Sequence, residues 1–377
     1  MPFHLTSDQE LIRKTVRELA ESELKGKPAE RLDRERAFPR EAVQKLAQLG
    51  LTAMLVPGEK GGAGIDTVSF VLALEEVARA SGTVALVLNN LNALGSYAIS
   101  LKASDALRAE VMPALASGEG IVAWALTEPN SGSDVGAMQT RAVKKADSWH
   151  ITGLKSFVVA APDATELIVF ARTSKDAITA FLVPADAPGV KVAPREATMT
   201  MRGSDMAQIF FKDVEVPAAR MLGAEGDGLA LIAACQEVAG LGGAAIAIGL
   251  MQASFEDSVQ YSGDREQFRT PIKRFQAIQF LVADMDVQLR AARLLTYSAA
   301  DKRDRGEDFA TDVAAAKLYA AEAAKFVTQK GIRIHGGTGF MRDIPIERYN
   351  RDARAMSIYA GTSEAERATL AAKALGL

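Results

Sequence analysis

Three short segments of this 377-residue chain concentrate groups suited to holding a small anionic molecule. Residues 126–135, Leu-Thr-Glu-Pro-Asn-Ser-Gly-Ser-Asp-Val, combine hydroxyls at Thr127 and Ser133 with a turn at 130–133 that presents backbone donors. Residues 334–340, Ile-His-Gly-Gly-Thr-Gly-Phe, end a helical pattern on Gly336 and Gly337, where a ligand can approach the backbone closely. Thr362 and Ser363 open the last helical pattern, and the free amides of a helix start favour phosphate. Arg265 adds a guanidinium, which suits phosphate by charge and by fork geometry. Each feature also has a structural reading alone: a loop held by Asx and Ser turns, a helix stop, a solvated arginine. Metal and thiol chemistry have little to work with. Cys235 is the single cysteine, which rules out an internal disulfide, and His4, His150 and His335 are the only histidines.

The elements that must position these groups fall into three stretches. Over 1–118 the pattern is helical. Ser7 and Glu10 read as a capping box, and Ile12, Val16 and Leu19 follow at helical spacing. Pro39 opens a second helix that Gly50 closes, and further helices are predicted over 67–81 and 83–101. Over 119–222, short apolar runs at 121–126, 149–152, 167–171, 179–183 and 208–211 alternate with turn residues, which predicts a small antiparallel β domain. Over 223–377 the helical period returns in segments 228–262, 273–305, 309–335, 345–355 and 363–375, as in an antiparallel bundle. The order helices, strands, helices predicts an α+β fold with segregated layers.

Composition narrows the class further. A hydrophobic fraction of 48%, a charged fraction of 24% and a net charge of -3 are those of a soluble globular protein, without the basic stripe of a nucleic-acid binder. The start, Met-Pro-Phe-His-Leu, lacks a signal-peptide pattern. The apolar stretch 238–251 is too short and glycine-rich for a membrane span. The expectation is a cytoplasmic protein.

Segment 126–135 resembles the first signature of the acyl-CoA dehydrogenase family. Arg265-Glu-Gln-Phe268, with Pro271-Ile272 and Phe275-Gln276, resembles a second, and 334–340 a third. Arg348-Tyr-Asn-Arg-Asp-Ala353 and Ile358-Tyr-Ala-Gly-Thr-Ser-Glu364 resemble a fourth and fifth, in the family's order and over nearly the whole chain. The resemblance implies a helical domain, a middle antiparallel β-barrel and a helical bundle, usually as a homotetramer. It also implies FAD as cofactor, an acyl-CoA substrate and an electron-transfer flavoprotein as partner. On the flavin side it implies Trp124, Leu126, Thr127 (toward the pyrimidine edge), Gly132, Ser133, Phe157 (an aromatic wall) and Val159. Toward the phosphates and adenine it implies Arg265, from a neighbouring subunit, with Phe268, Gln276, Arg333, Gly336, Gly337, Thr362 and Glu364. On the substrate side it implies Ser133, Glu237 beside the pantetheine arm, Gly240, Asn92 and Gly361.

One part of the pattern is missing. The family's reaction removes an α proton while hydride leaves the β carbon for the flavin, and a positioned carboxylate normally takes that proton, a contribution on the order of 10²- to 10⁴-fold. The glutamate that most members carry before Gly-Thr is Ala360 here, and the alternative position on the first bundle helix is Ala239. Gly240 replaces an arginine, Val159 a threonine, and Arg333 and Glu366 two glutamines near the cofactor. The helix over 83–101 offers Asn89, Asn90, Asn92 and Tyr97, so Tyr97 could shuttle a proton and the asparagines could bind a polar tail. Three expectations follow: a flavoenzyme with a relocated base or a reaction that needs none, such as a desulfinase-like elimination; a base-less, FAD-holding subunit of a heteromer; or an oxygen-using flavoenzyme, disfavoured because the first signature is kept.

Overall fold

The computed structural model describes residues 4–377; residues 1–3, which begin the N-terminal stretch read above, lie outside the described residues. The first unit contains α1 (Ser7–Glu23), α2 (Lys27–Glu35), α3 (Arg40–Gln48), α4 (Thr67–Ala80), α5 (Gly82–Asn89), α6 (Tyr97–Lys102) and α7 (Asp105–Ala116). The cap of α1 lies one residue earlier than the sequence suggested. Thr6 has extended backbone and accepts from the Gln9 amide, while the Gln9 side chain returns to the Thr6 amide. The stretch predicted as one helix over 83–101 is interrupted by a π-helical segment, Asn90–Ser96. Asp66, Ser81 and Ser104 cap α4, α5 and α7 by accepting backbone N–H bonds.

The middle unit is one eight-stranded sheet in the order β6-β7-β3-β2-β4-β5-β8, with β1 also on β4. Its strands are β1 (Val122–Ala125), β2 (Arg141–Lys145), β3 (Ser148–Val158), β4 (Glu166–Arg172), β5 (Ile178–Pro184), β6 (Val190–Val192), β7 (Ala207–Pro217) and β8 (Met221–Leu222). The expected all-antiparallel barrel needs correcting: β1 and β2 both run parallel to β4, so the sheet is mixed, and its pairings run from β6 to β8 without a recorded closure. The parallel pairing follows from connectivity, because the 126–135 loop and the β2–β3 hairpin intervene between β1 and β4. The sheet buries its own core around Trp149, Phe181, Ile151, Val169 and Ile209.

The third unit is α8 (Gly228–Asp264), the short hairpin β9–β10 (Glu266–Gln267, Thr270–Pro271), α9 (Gln276–Asp304), α10 (Ala310–His335), α11 (Ile346–Ala355) and α12 (Ser363–Leu375). Helix α8 is the axis of the molecule, apolar on nearly all sides and packed against α4, α9 and α10. Gly249 permits a close approach of backbones, since a Cβ there would stand 2.4 Å from the Glu75 carbonyl oxygen of α4. Part-buried ion pairs tie α4 to α9, α1 and α8: Arg293 to Glu75 at 2.6 Å, Arg17 to Glu76 at 2.6 Å, and Arg79 to Glu21 at 2.7 Å and Glu256 at 3.0 Å. Segments 82–102 and 228–264 are long and apolar enough to cross a membrane, but 89% and 78% of their apolar windows are buried inside the fold.

Candidate functional site

The loop after β1 is held from beneath by a buried ion pair. Lys155, fully buried on β3, donates to the Glu128 carboxylate at 2.8 Å and to the Leu126 carbonyl at 2.9 Å. Glu128 also accepts the backbone amides of Gln139 and Thr140. Burial pushes the Lys155 ammonium down to about 8, against the opposing pull of Glu128. For Glu128, burial acts upward most strongly, but the hydrogen bond and charge of Lys155 together with the hydrogen bonds from Thr140 and Gln139 hold the carboxyl below the usual range. Glu128 and Ser131 exchange backbone hydrogen bonds, closing the turn, and the Ser156 amide donates to the Thr127 carbonyl at 2.8 Å. Thr127, Gly132 and Ser133 thus sit on a fixed loop, Thr127 half-buried and the other two exposed.

Phe157 is the penultimate residue of β3, next but one to Lys155. It is not core: its ring is 63% exposed on a left-handed backbone with φ 56°. A bulky residue adopts that conformation at a cost, so the exposed ring is aimed outward by the backbone. Val159 beside it is buried, and Trp124 lies half-buried with its ring 4.5 Å from that of Phe170.

A second surface is built where α8, α9 and α10 end or begin. Arg265, beyond the helical segment 228–262 read from sequence, is the extended residue just past α8. Its side chain is exposed and has no hydrogen-bond or ionic partner among the described residues. Phe268 is 90% exposed, at φ 53°, on the same hairpin, and Gln276 opens α9. Gly336 and Gly337 follow α10 and are exposed, with nothing within 4 Å of where a Cβ would stand; the same holds for Gly132. Exposed Arg333 completes the α10 terminus.

The third element is the loop between α11 and α12. Thr362 caps α12 by accepting from the Ala365 amide at 3.1 Å, with Glu364 exposed in the first turn. Ala360 is half-buried with φ 52°, and Gly361 follows at φ 104°. A Cβ on Gly240 of α8 would lie 3.9 Å from the Ala360 carbonyl oxygen, so the two segments face each other. Ala239 is fully buried, and its carbonyl accepts from Asn89 at 3.0 Å. Asn89 and Asn90 both donate to the Tyr359 hydroxyl, at 3.0 and 3.1 Å. Methyl groups therefore occupy both positions at which a carboxylate was expected.

Asn92 requires a correction as a substrate contact. Its amide donates to the Leu51 and Leu88 carbonyls at 2.7 and 2.9 Å, and its oxygen accepts the Met54 amide at 2.7 Å. It is fully buried and fully occupied, so it holds the 51–54 segment rather than a ligand. Tyr97 lies under the Arg303 guanidinium, 5.2 Å from its ring centre. Glu237 is half-buried; burial and Asp308 raise its carboxyl above the usual range, against Arg303.

Sequence reasoning missed two lysines. Lys155 and Lys317 are each buried, and Lys317 on α10 donates to the Met356 carbonyl at 2.7 Å and the Gly361 carbonyl at 3.1 Å. Burial pushes Lys317 down to about 8, with Glu366 pulling the other way. Their signal was a lysine within an otherwise small or apolar pattern, which reads as a surface position unless its face is known.

Comparison with known proteins places the chain. Sequence models of the acyl-CoA dehydrogenase N-terminal, middle and C-terminal domains match residues 6–119, 123–214 and 226–375. The chain belongs to the acyl-CoA dehydrogenase family. An acyl-CoA dehydrogenase of Bacillus subtilis (strain 168) is 37% identical over 378 residues, covering 99% of this chain and 100% of that protein. The structure of butyryl-CoA dehydrogenase from Megasphaera elsdenii matches with a TM-score of 0.96 and 35% identity over 100% of both chains. A structure of PigA with FAD and proline matches with a TM-score of 0.95 and 26% identity over 100% of both chains.

Proposed function

We propose that this chain is an FAD-dependent oxidoreductase that acts on an acyl-CoA thioester without the family's usual catalytic glutamate. FAD is the cofactor, and when bound it supplies the hydride-accepting chemistry. The chain's own surfaces fit it. Open space over Gly132, Gly336 and Gly337 admits a ligand to the backbone, the exposed Phe157 ring offers a wall, and Arg265 offers an unpaired cation. Thr127 and the amides around Gly132 and Ser133 present donors from a loop that Lys155 and Glu128 keep rigid.

The observation that carries this reading is the pair of methyls at Ala360 and Ala239, set in a site that keeps Thr127, Ser133, Arg265 and Thr362. It supports α,β-dehydrogenation with a base from another residue. Glu237, half-buried with a raised pKa, suits a contact along the pantetheine arm beside Gly240. An electron-transfer flavoprotein is the proposed electron acceptor, and the cytoplasm the proposed location. Assembly is as a homotetramer: Phe280, Val287 and Leu294 recur every seven residues along α9 and are 59%, 61% and 57% exposed, a line suited to a second copy of the helix.

Anaerobic titration of the FAD-loaded protein with saturated acyl-CoAs of different length tests the reading. Bleaching of the flavin band is expected with at least one of them. A spectral shift without bleaching would replace oxidation with redox-neutral chemistry or a holding role, and no shift with any thioester would remove the acyl-CoA reading.

A further inference from the structure

Helix α12 starts directly after the loop that carries Ala360, and Glu366 lies four residues beyond its cap, Thr362. Residues four apart share a helix face, so Glu366 stands over the same end of the helix as the loop. Its Oε1 is 2.2 Å from where a Cβ on Gly361 would be. The carboxyl group therefore lies against the backbone of the residue next to Ala360. Glycine at 361 suits the φ of 104°, and without a Cβ it leaves this carboxyl room beside the loop.

The Glu366 side chain makes no hydrogen bond among the described residues and is half-buried. Lys317 is its nearest counter-charge. Two of the three ammonium hydrogens bind the Met356 and Gly361 carbonyls, which leaves one for a carboxylate. Burial holds Glu366 above the usual carboxylate range, with Lys317 opposing, which brings it closer to the basicity wanted for a weakly acidic C–H.

We propose that Glu366 is the carboxylate that accepts the substrate α-proton in this chain, standing in for the side chain Ala360 lacks, with Lys317 as its counter-charge. This rests on the acyl-CoA reading above. The step breaks the Cα–H bond of the thioester and forms an O–H bond on Glu366, while the electron pair stays on the substrate as the enolate. Reversal returns a proton from Glu366 to the same carbon. Three rotatable bonds on α12 let the carboxyl swing from Gly361 toward the Ala360 methyl, and Lys317 fixes the adjoining loop through the Met356 and Gly361 carbonyls.

Enolisation can be read without any redox change. The FAD-loaded protein is incubated anaerobically in D2O with acetyl-CoA, which has no β carbon, and with butyryl-CoA. Deuterium at C2 is measured by mass spectrometry, and binding by the shift of the flavin absorption. Wild type is expected to bind and exchange. Glu366→Gln is expected to bind equally and exchange about 100-fold more slowly or worse. Adding Ala360→Glu to Glu366→Gln is expected to restore exchange, which also shows that the variant site is folded. The proposal is overturned if Glu366→Gln exchanges at the wild-type rate, or if wild type binds without exchange. Failure of wild type to bind either thioester would instead overturn the acyl-CoA reading, and the proposal with it.

Discussion

Lys155 Nζ lies 2.8 Å from Glu128 Oε1, with Lys155 fully buried and Glu128 nearly so. This pair joins β3 to the loop carrying Leu126 and Thr127, so the loop and the Phe157 wall share one anchor. Removing one partner strands the other charge in a dry site. Lys155→Met is expected to destabilise the protein by about 3–5 kcal/mol and to loosen flavin. The double variant Lys155→Met/Glu128→Gln is expected to recover much of the stability, because no bare charge remains. Melting curves and flavin release rates check both. Glu128 has a folded pKa below its unfolded one, so its contribution is present above the ordinary glutamate range and is lost as pH falls through the folded value. Glu128→Gln is expected to flatten that acid-side loss.

A second buried carboxyl acts in the opposite direction. Asp205 is buried at φ 46°, with Arg195 Nη2 2.8 Å from Oδ2 as an ion pair but with neither carboxyl oxygen in a well-formed hydrogen bond. Burial and then the Asp163 carboxyl push it up to about 7, against Arg195. A raised acid binds its proton more tightly in the folded state, so stability falls as pH rises from about 4 to 7. Asp205→Asn removes the ionisation and keeps a residue type that tolerates the left-handed backbone. It is expected to raise the melting temperature above pH 7, by an amount on the order of 1–3 kcal/mol in stability, and to flatten the profile between pH 4 and 7. A lower melting temperature for the variant at pH 8 would refute the sign.

Much of the frame was legible in sequence because it rests on local periodicity. The bounds of α8, α10 and α12 fall within two residues of the segments read from apolar spacing. The first cap was misassigned because Thr6 and Ser7 are chemically equivalent as caps, and only the extended backbone at Thr6 distinguishes them. The parallel pairing of β1 with β4 was not legible, since alternation within a strand does not say which strand lies beside it. The site divides the same way. Motif residues such as Thr127, Arg265 and Thr362 stand out in sequence by the order and spacing of their motifs. Lys155, Lys317 and the approach of Glu366 to Gly361 are products of tertiary packing, and a lysine that folds inward looks in sequence like one that faces water.

Asn92 separates packing from binding. Its side chain satisfies two carbonyls and one amide that are buried with it. Asn92→Ala leaves those groups without partners and is expected to cost about 2–4 kcal/mol. At a temperature where the variant is folded, acyl-CoA affinity is expected to stay within about twofold of wild type. A selective loss of affinity with stability unchanged would return Asn92 to the substrate side.

Arg265 and Phe268 present the converse case, two side chains with too few partners. The hairpin β9–β10 holds them just past α8, with Phe268 90% exposed and Arg265 unpaired within the described chain. An exposed phenylalanine held at φ 53° bears both strain and solvent, which suits a surface completed by something outside this chain. If that partner is the FAD of a neighbouring subunit, Arg265→Met removes a charge-assisted hydrogen bond and should weaken FAD binding roughly ten- to hundredfold. Fold and assembly should survive, because neither residue supports the core. Flavin dissociation measured by fluorescence, alongside sedimentation, tests this. If flavin retention is unchanged in a protein of unchanged size, Arg265 is a solvated arginine.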